Sequence, residues 1–273
     1  MKQKVILILV GALLFLSSGC IGGEDSGGPG IDEEYEGNNT LLIKDLELQE
    51  DSLRPDQSTY LRLKVSNANI HDVKDFKAEV YNTGSLEVEK VGDCNFDLRN
   101  RIDLGELDTR ECMWSVKAPG KDYLQNFDSK NIEMKLRISF RSKSSFYEEQ
   151  PKIVFERSPE ITEKSYETDA GDLKASLNFE SPLPLFKKKV PLDINLKPGK
   201  GRPSNVEIEY QGAFDFSQCS RNVRINGSES RNIQCSIEPT GEIKIREERP
   251  ILLRINYKYI LSKSIDVEVT EPD

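Results

Sequence analysis

Histidine is nearly missing from this chain. Among 273 residues there is one, His71, in the segment Asn67 to Asp72. Its isolation argues against histidine-clustered metal centres and leaves a Ser-His-Asp hydrolase without a convincing base. His71 itself reads as a solvated loop side chain. Closely spaced cysteines are missing too: the chain has 5 Cys and no C-x-x-C, which argues against a four-thiolate zinc site and a redox-active dithiol. There is no phosphate-cradling glycine loop, because Gly199-Lys200-Gly201 lies between Pro198 and Pro203 and leads into a strand pattern, not a helix. The adjacent carboxylates Glu148-Glu149 and Glu247-Glu248 would point to opposite faces of a strand, so neither pair suits a glycosidase dyad. A basic excess is also lacking. The formal net charge is −9, which argues against nucleic-acid binding. No catalytic, cofactor-binding or metal-ligating residue is predicted, and the chain is expected not to be an enzyme.

Long apolar runs are scarce as well. The single one is Val5 to Leu16, twelve residues preceded by Lys2 and Lys4 and followed by Ser17, Ser18 and Gly19. A basic start, a short apolar run and small residues read as an export signal. Roughly 20 apolar residues are needed to cross a bilayer, so this run falls short. Its end, Leu16-Ser17-Ser18-Gly19-Cys20, resembles the lipobox of exported lipoproteins, with Ser17 where the usual pattern has an aliphatic residue. The resemblance implies a signal peptide over 1–19, cleavage before Cys20, lipid on the Cys20 thiol, and a chain held at the cell membrane facing outside.

Residues 20–40 carry glycine and acid in place of apolar bulk. Glu24, Asp25, Asp32, Glu33, Glu34 and Glu36 have no base between them. Such a segment buries too little to offset chain entropy and is expected to be a disordered stalk. Over residues 20–273 the balance is 36 Lys plus Arg against 47 Asp plus Glu, 36 − 47 = −11, and the stalk supplies six of the acids. Asn38-Asn39-Thr40 is an N-glycosylation sequon, as is Asn226-Gly227-Ser228 further on.

Helical periodicity is absent from Leu41 onward. Period two replaces it: Leu61, Leu63 and Val65; Phe76, Ala78 and Val80; and Ile132, Met134, Leu136, Ile138 and Phe140 each alternate with polar residues. These are strands with one wet and one buried face. Turn signals separate them at Arg54-Pro55-Asp56, Asn82-Thr83-Gly84, Ala118-Pro119-Gly120 and Pro198-Gly199. The fold class predicted is all-β.

The pattern also repeats. Phe76-x-Ala78-x-Val80, Cys94, Cys112 and the strand Ile132 to Phe140 have counterparts in Val206-x-Ile208-x-Tyr210, Cys219, Cys235 and Ile251 to Tyr259. Leu61 to Val65 corresponds to Val190 through Leu196. Two tandem immunoglobulin-like β-sandwich domains are expected, over 41–156 and 157–273. Four cysteines allow three pairings. In an exported chain the repeat selects one disulfide per half, Cys94 with Cys112 and Cys219 with Cys235.

Leu61-x-Leu63-x-Val65-x-Asn67, with Val73 and Phe76-x-Ala78-x-Val80 after it, resembles the opening of the CARDB-type adhesion modules of archaeal and bacterial surface proteins. Together with the lipobox and the acidic segment, the chain is similar to exported archaeal lipoproteins. The resemblance implies a non-catalytic binding, adhesion or scaffold module of the envelope, with the membrane as one partner and a protein or surface polysaccharide as another. Trp114, two residues after Cys112, is expected to be a core aromatic beside that cysteine. Lys187-Lys188-Lys189, with Lys197, Lys200 and Arg202, forms a basic cluster that reads first as a solvated turn and second as a site for an anionic partner or lipid headgroups.

The scaffold reading predicts no large cleft lined by three or more converging ionisable groups. The alternative, a ligand-capturing lipoprotein associated with a transporter, predicts the two halves around a cleft with an aromatic or charged lining. A polysaccharide-acting enzyme would need carboxylates gathered from separate strands.

Overall fold

The computed structural model describes residues 41–271 apart from 105, 147, 148, 169, 170 and 200. The expected signal peptide, Cys20, the stalk, Asn38, Glu148 and Lys200 lie outside the described residues. The described part is an all-β fold. In the first half come β1 (Leu41–Leu48), β2 (Ser52–Leu53), β3 (Ser58–Asn67), β4 (Val73–Tyr81), β5 (Glu87–Val91), β6 (Asn95–Leu98), β7 (Thr109–Lys117), β8 (Ser129–Ser145) and β9 (Lys152–Glu156). In the second come β10 (Thr162–Glu167), β11 (Leu173–Ser181), β12 (Leu183–Pro184), β13 (Val190–Pro198), β14 (Arg202–Gly212), β15 (Phe214–Asp215), β16 (Asn222–Val223), β17 (Arg231–Pro239) and β18 (Glu247–Thr270). The described helical turns, Arg101–Leu104 and Lys121–Tyr123, are four and three residues long.

The repeat read from the sequence reappears in the strand pairing. One outer sheet has the order β1-β3-β7-β5, and the other contains β11-β13-β17-β15 with β10 added at its edge. Facing them, β6 pairs β4 and β4 pairs β8 in the first half, while β16 pairs β14 and β14 pairs β18 in the second. Even an irregularity recurs. The register slips between Lys74 and Lys77 on β4 and between Ser204 and Glu207 on β14, and at each bulge one residue takes a left-handed backbone, Asp75 at φ 49° and Asn205 at φ 50°. Asp and Asn tolerate that region better than most residues.

The halves do not stand apart as two bodies joined by a linker. β8 and β18 are equivalent strands of the two copies, and they pair antiparallel along all 17 residues of β8. β18 then runs on to pair β9 at its start. The described residues fall within one compact unit, Ile31–Asp273, in which one sheet backs both outer sheets. The expected domain boundary at 156/157 is followed within a few residues by strand β10.

The core follows from the alternation. β18 buries its odd-numbered side chains, from Arg249 through Ile251, Leu253, Ile255, Tyr257, Tyr259 and Leu261 to Val267 and Val269. β8 buries Ile132, Met134, Leu136, Ile138 and Phe140 on the same side, and these join the inward residues of the outer sheets in one apolar cluster. Trp114 is buried there on β7, opposite Leu61.

Between the two outer sheets the inward face turns polar. The Tyr257 hydroxyl accepts the Asp172 N–H at 2.9 Å, the Tyr259 hydroxyl accepts the Gly201 N–H at 2.9 Å, and Ser144 donates to the Leu173 carbonyl at 2.6 Å. Gly171 and Gly201 permit this approach. A Cβ on Gly171 would lie 2.1 Å from Ser144 Oγ, and one on Gly201 2.3 Å from Tyr259 Cε1.

Candidate binding groove on the shared sheet

The four strands β4-β8-β18-β14 meet in one row, in which Lys74 lies beside Arg141, Arg141 beside Lys258 and Lys258 beside Ser204. Lys74 and Ser204 hold corresponding places ahead of the two bulges. A local two-fold axis therefore passes between Arg141 and Lys258. The buried faces of β8 and β18 are turned to the core, so the other face of this row meets solvent.

A groove of about 690 Å³ opens on this face. Its lining draws on both halves: His71, Asp72, Lys74, Asn100, Arg141 and Lys143 from the first, and Asn205, Glu207, Asn256 and Lys258 from the second. Four bases and two acids face it. Arg141 is ion-paired with Asp75. Lys74, Lys143 and Lys258 form no ion pair with a described residue, which leaves three ammonium groups for a ligand. On its far side Asn256 donates to Glu209 at 2.7 Å, and Arg254 reaches the same carboxylate at 3.5 Å.

One wall is a loop built from asparagines. Asn67 donates through Nδ2 to the carbonyls of His71 at 2.9 Å and Arg99 at 3.0 Å, and its Oδ1 accepts the Asn69 N–H at 3.0 Å. Asn69 Oδ1 accepts the His71 N–H at 3.0 Å. Asp72 accepts from both the backbone and the side chain of Asn100, at 3.0 and 2.9 Å. These bonds fix residues 67–72 as a rigid rim, because each side-chain amide substitutes for a missing ladder partner. His71 accordingly departs from the solvated side chain expected of it. It is half-buried, and its Nε2 lies 2.7 Å from Ser145 Oγ.

The cysteines divide. Cys219 and Cys235 are joined, with Cα atoms 5.1 Å apart. Cys94 and Cys112 are buried thiols with no disulfide between them, so of the two expected bridges the structure contains the one in the second half. They are nonetheless neighbours: their side chains hydrogen-bond, which draws the Cys94 thiol below its ordinary range and, with burial, pushes Cys112 up. The local backbone differs between the copies. The Ala78 N–H donates to the carbonyl of Cys94, whereas its counterpart Ile208 donates to Arg221. Cys94 thus stands where the second copy has Arg221, two residues past the place of Cys219.

The remaining predicted sites are dispersed. Asn226 is exposed in the turn between β16 and β17. Glu247 pairs with Arg249 at 2.9 Å and Glu248 with Lys152 at 2.7 Å, so each carboxylate serves a local ion pair. The Lys152 ammonium holds the Glu248 carboxyl below its usual range. The groove residues escaped the sequence reading because they come from four strands and two loops with no local motif. The available signal was the wet phase of β8, where Arg141 and Lys143 follow Arg137 and Ser139.

No protein-family model matches the chain, and no curated protein does. Among solved structures it has a likeness to a secreted serine protease, VesC from Vibrio cholerae, at 10% identity and a TM-score of 0.23, covering 80% of this chain and 50% of that one. The chain thus spans half the length of that protein. At such a TM-score the likeness carries no argument about fold or activity.

Proposed function

We propose that the chain is a non-catalytic, membrane-anchored binding protein of the outer cell surface, and that it holds an anionic partner in the groove of the shared sheet. The observation that carries this is the row Lys74, Arg141, Lys258 and Ser204, which crosses both halves and, together with Lys143 in the same groove, places three unpaired ammonium groups on one open face. The scaffold reading predicted no cleft with three or more ionisable groups, so the groove moves the balance toward ligand capture. The partner is an acidic polysaccharide or an acidic protein segment, since the bases outnumber the acids four to two.

The test is a photo-reactive residue placed at Lys143 in the full chain, irradiated in intact cells, with the captured partner recovered and sized. Capture that disappears in Arg141→Glu/Lys258→Glu supports the proposal. Capture that is indifferent to the charge reversal, or none at all, overturns it.

A further inference from the structure

Far from the groove, at the end of the second half, three loops leave large apolar side chains in solvent. Phe186 is 81% exposed, Ile245 74% and Ile161 48%. Single exposed apolar residues are ordinary, but a group at one end is not. Their proximity follows from the pairing. Phe186 sits in the turn closed by the Lys187 N–H on the Pro184 carbonyl at 2.9 Å, and Ile161 precedes Thr162, which pairs Ser181. Leu185, Phe186, Lys187 and Lys188 share the lining of one depression with Glu242 and Ile243.

Each of two loops carries one apolar residue inward and one outward. Leu185 and Ile243 pack against the core, which leaves Phe186 and Ile245 free to face out. Bases flank the outward pair: Lys187, Lys188 and Lys189 follow Phe186, while Lys244 and Arg246 bracket Ile245. Lys189 is paired with Glu238 at 3.6 Å, Lys244 with Glu242 at 3.2 Å and Arg246 with Glu156 at 3.8 Å. Lys187 and Lys188 form no ion pair with a described residue. An aromatic and an aliphatic tip set among ammonium groups has the chemistry of a surface that enters the headgroup region of an anionic bilayer.

We infer that this end of the second half docks on an anionic lipid surface, with Phe186 and Ile245 entering the interface and Lys187 and Lys188 meeting headgroup phosphates. The placement rests on the membrane-anchored reading above. The 21 residues from Cys20 to Leu41 reach at most about 70 Å when extended, and the nine-residue strand β13, which starts at this tip and runs away from it, is about 30 Å long. An anchored chain can therefore bring the tip down to its own membrane.

The experiment places a local probe at the tip. The full chain carrying Phe186→Trp is reconstituted with vesicles of phosphatidylcholine alone, or of phosphatidylcholine with an equal part of phosphatidylglycerol, both bearing brominated acyl chains. Trp114 is buried in the first half and stays as the unquenched reference in the parent chain. The expected result is loss of about half of the added emission in the anionic vesicles only, reversed by Lys187→Glu/Lys188→Glu and by salt. Ile245→Trp repeats the measurement should Phe186→Trp disturb the turn. No quenching at either position in anionic vesicles overturns the proposal, and equal quenching in both vesicle types overturns its electrostatic part. Retention of the parent chain on vesicles after a high-salt wash reports the anchor separately, so a failed anchor and a failed tip give different results.

Discussion

Tyr259 shows how one side chain can serve two needs. Its ring lies in the core beside Phe140, with centroids 5.8 Å apart, and its hydroxyl accepts the Gly201 N–H. Tyr259→Phe keeps the ring and strands a buried donor, at a cost of about 1–3 kcal/mol, to be read by chemical denaturation. Burial raises the Tyr259 hydroxyl well above its ordinary value of 10.0 and pushes Tyr210 up to about 12. A folded pKa above the unfolded one gives stability that is complete below pH 10 and lost as pH rises through the folded value. Alkaline titration followed by tyrosinate absorbance should therefore show Tyr210 and Tyr259 ionising together with unfolding. Ionisation of both in the folded chain, with circular dichroism unchanged, would contradict this.

The cysteines mark what the sequence could and could not disclose at this scale. Their order between like strands was legible, and it places both pairs in contact. The two-residue offset of Cys94 was not, because it arises from how β6 registers against β4. We expect chain recovered from the cell exterior to carry a Cys94–Cys112 link in non-reduced mass spectrometry, and chain made in the cytosol to alkylate at both once unfolded. Free thiols in the exported chain, or a link from Cys94 or Cys112 to Cys219 or Cys235, would refute the expectation.

Among the elements, β18 departs furthest from what its residues announce. Alternation from Ile251 to Tyr259 is plain, yet the strand covers 24 residues. Lys263 falls on the buried phase, opposite Leu136, and interrupts the apolar pattern in mid-strand. Pairing with β8 carries the strand across that position, and long-range pairing of this kind is invisible in a local window. The same cause hid the groove, which exists because β8 and β18 lie side by side.

For the whole molecule, sharing β8 and β18 couples the halves. Leu136→Ala on β8, at about 2–5 kcal/mol, should lower the stability of the second half as much as that of the first. Hydrogen exchange on β13 and β17 would show it, and calorimetry should give one transition. Two separated transitions, with only the first moved by the substitution, would mean that the halves fold independently.

The antiparallel pairing of equivalent strands has one more consequence. A strand edge with unpaired N–H and C=O groups recruits whatever strand it meets. Were the first half released on its own, the β18 side of β8 would be such an edge, seventeen residues long, and its best complement would be another copy of itself. Within the intact chain the second repeat occupies that place. The arrangement has the form of a dimer of two unlike repeats within one chain, and in it the long edge of β8 is covered.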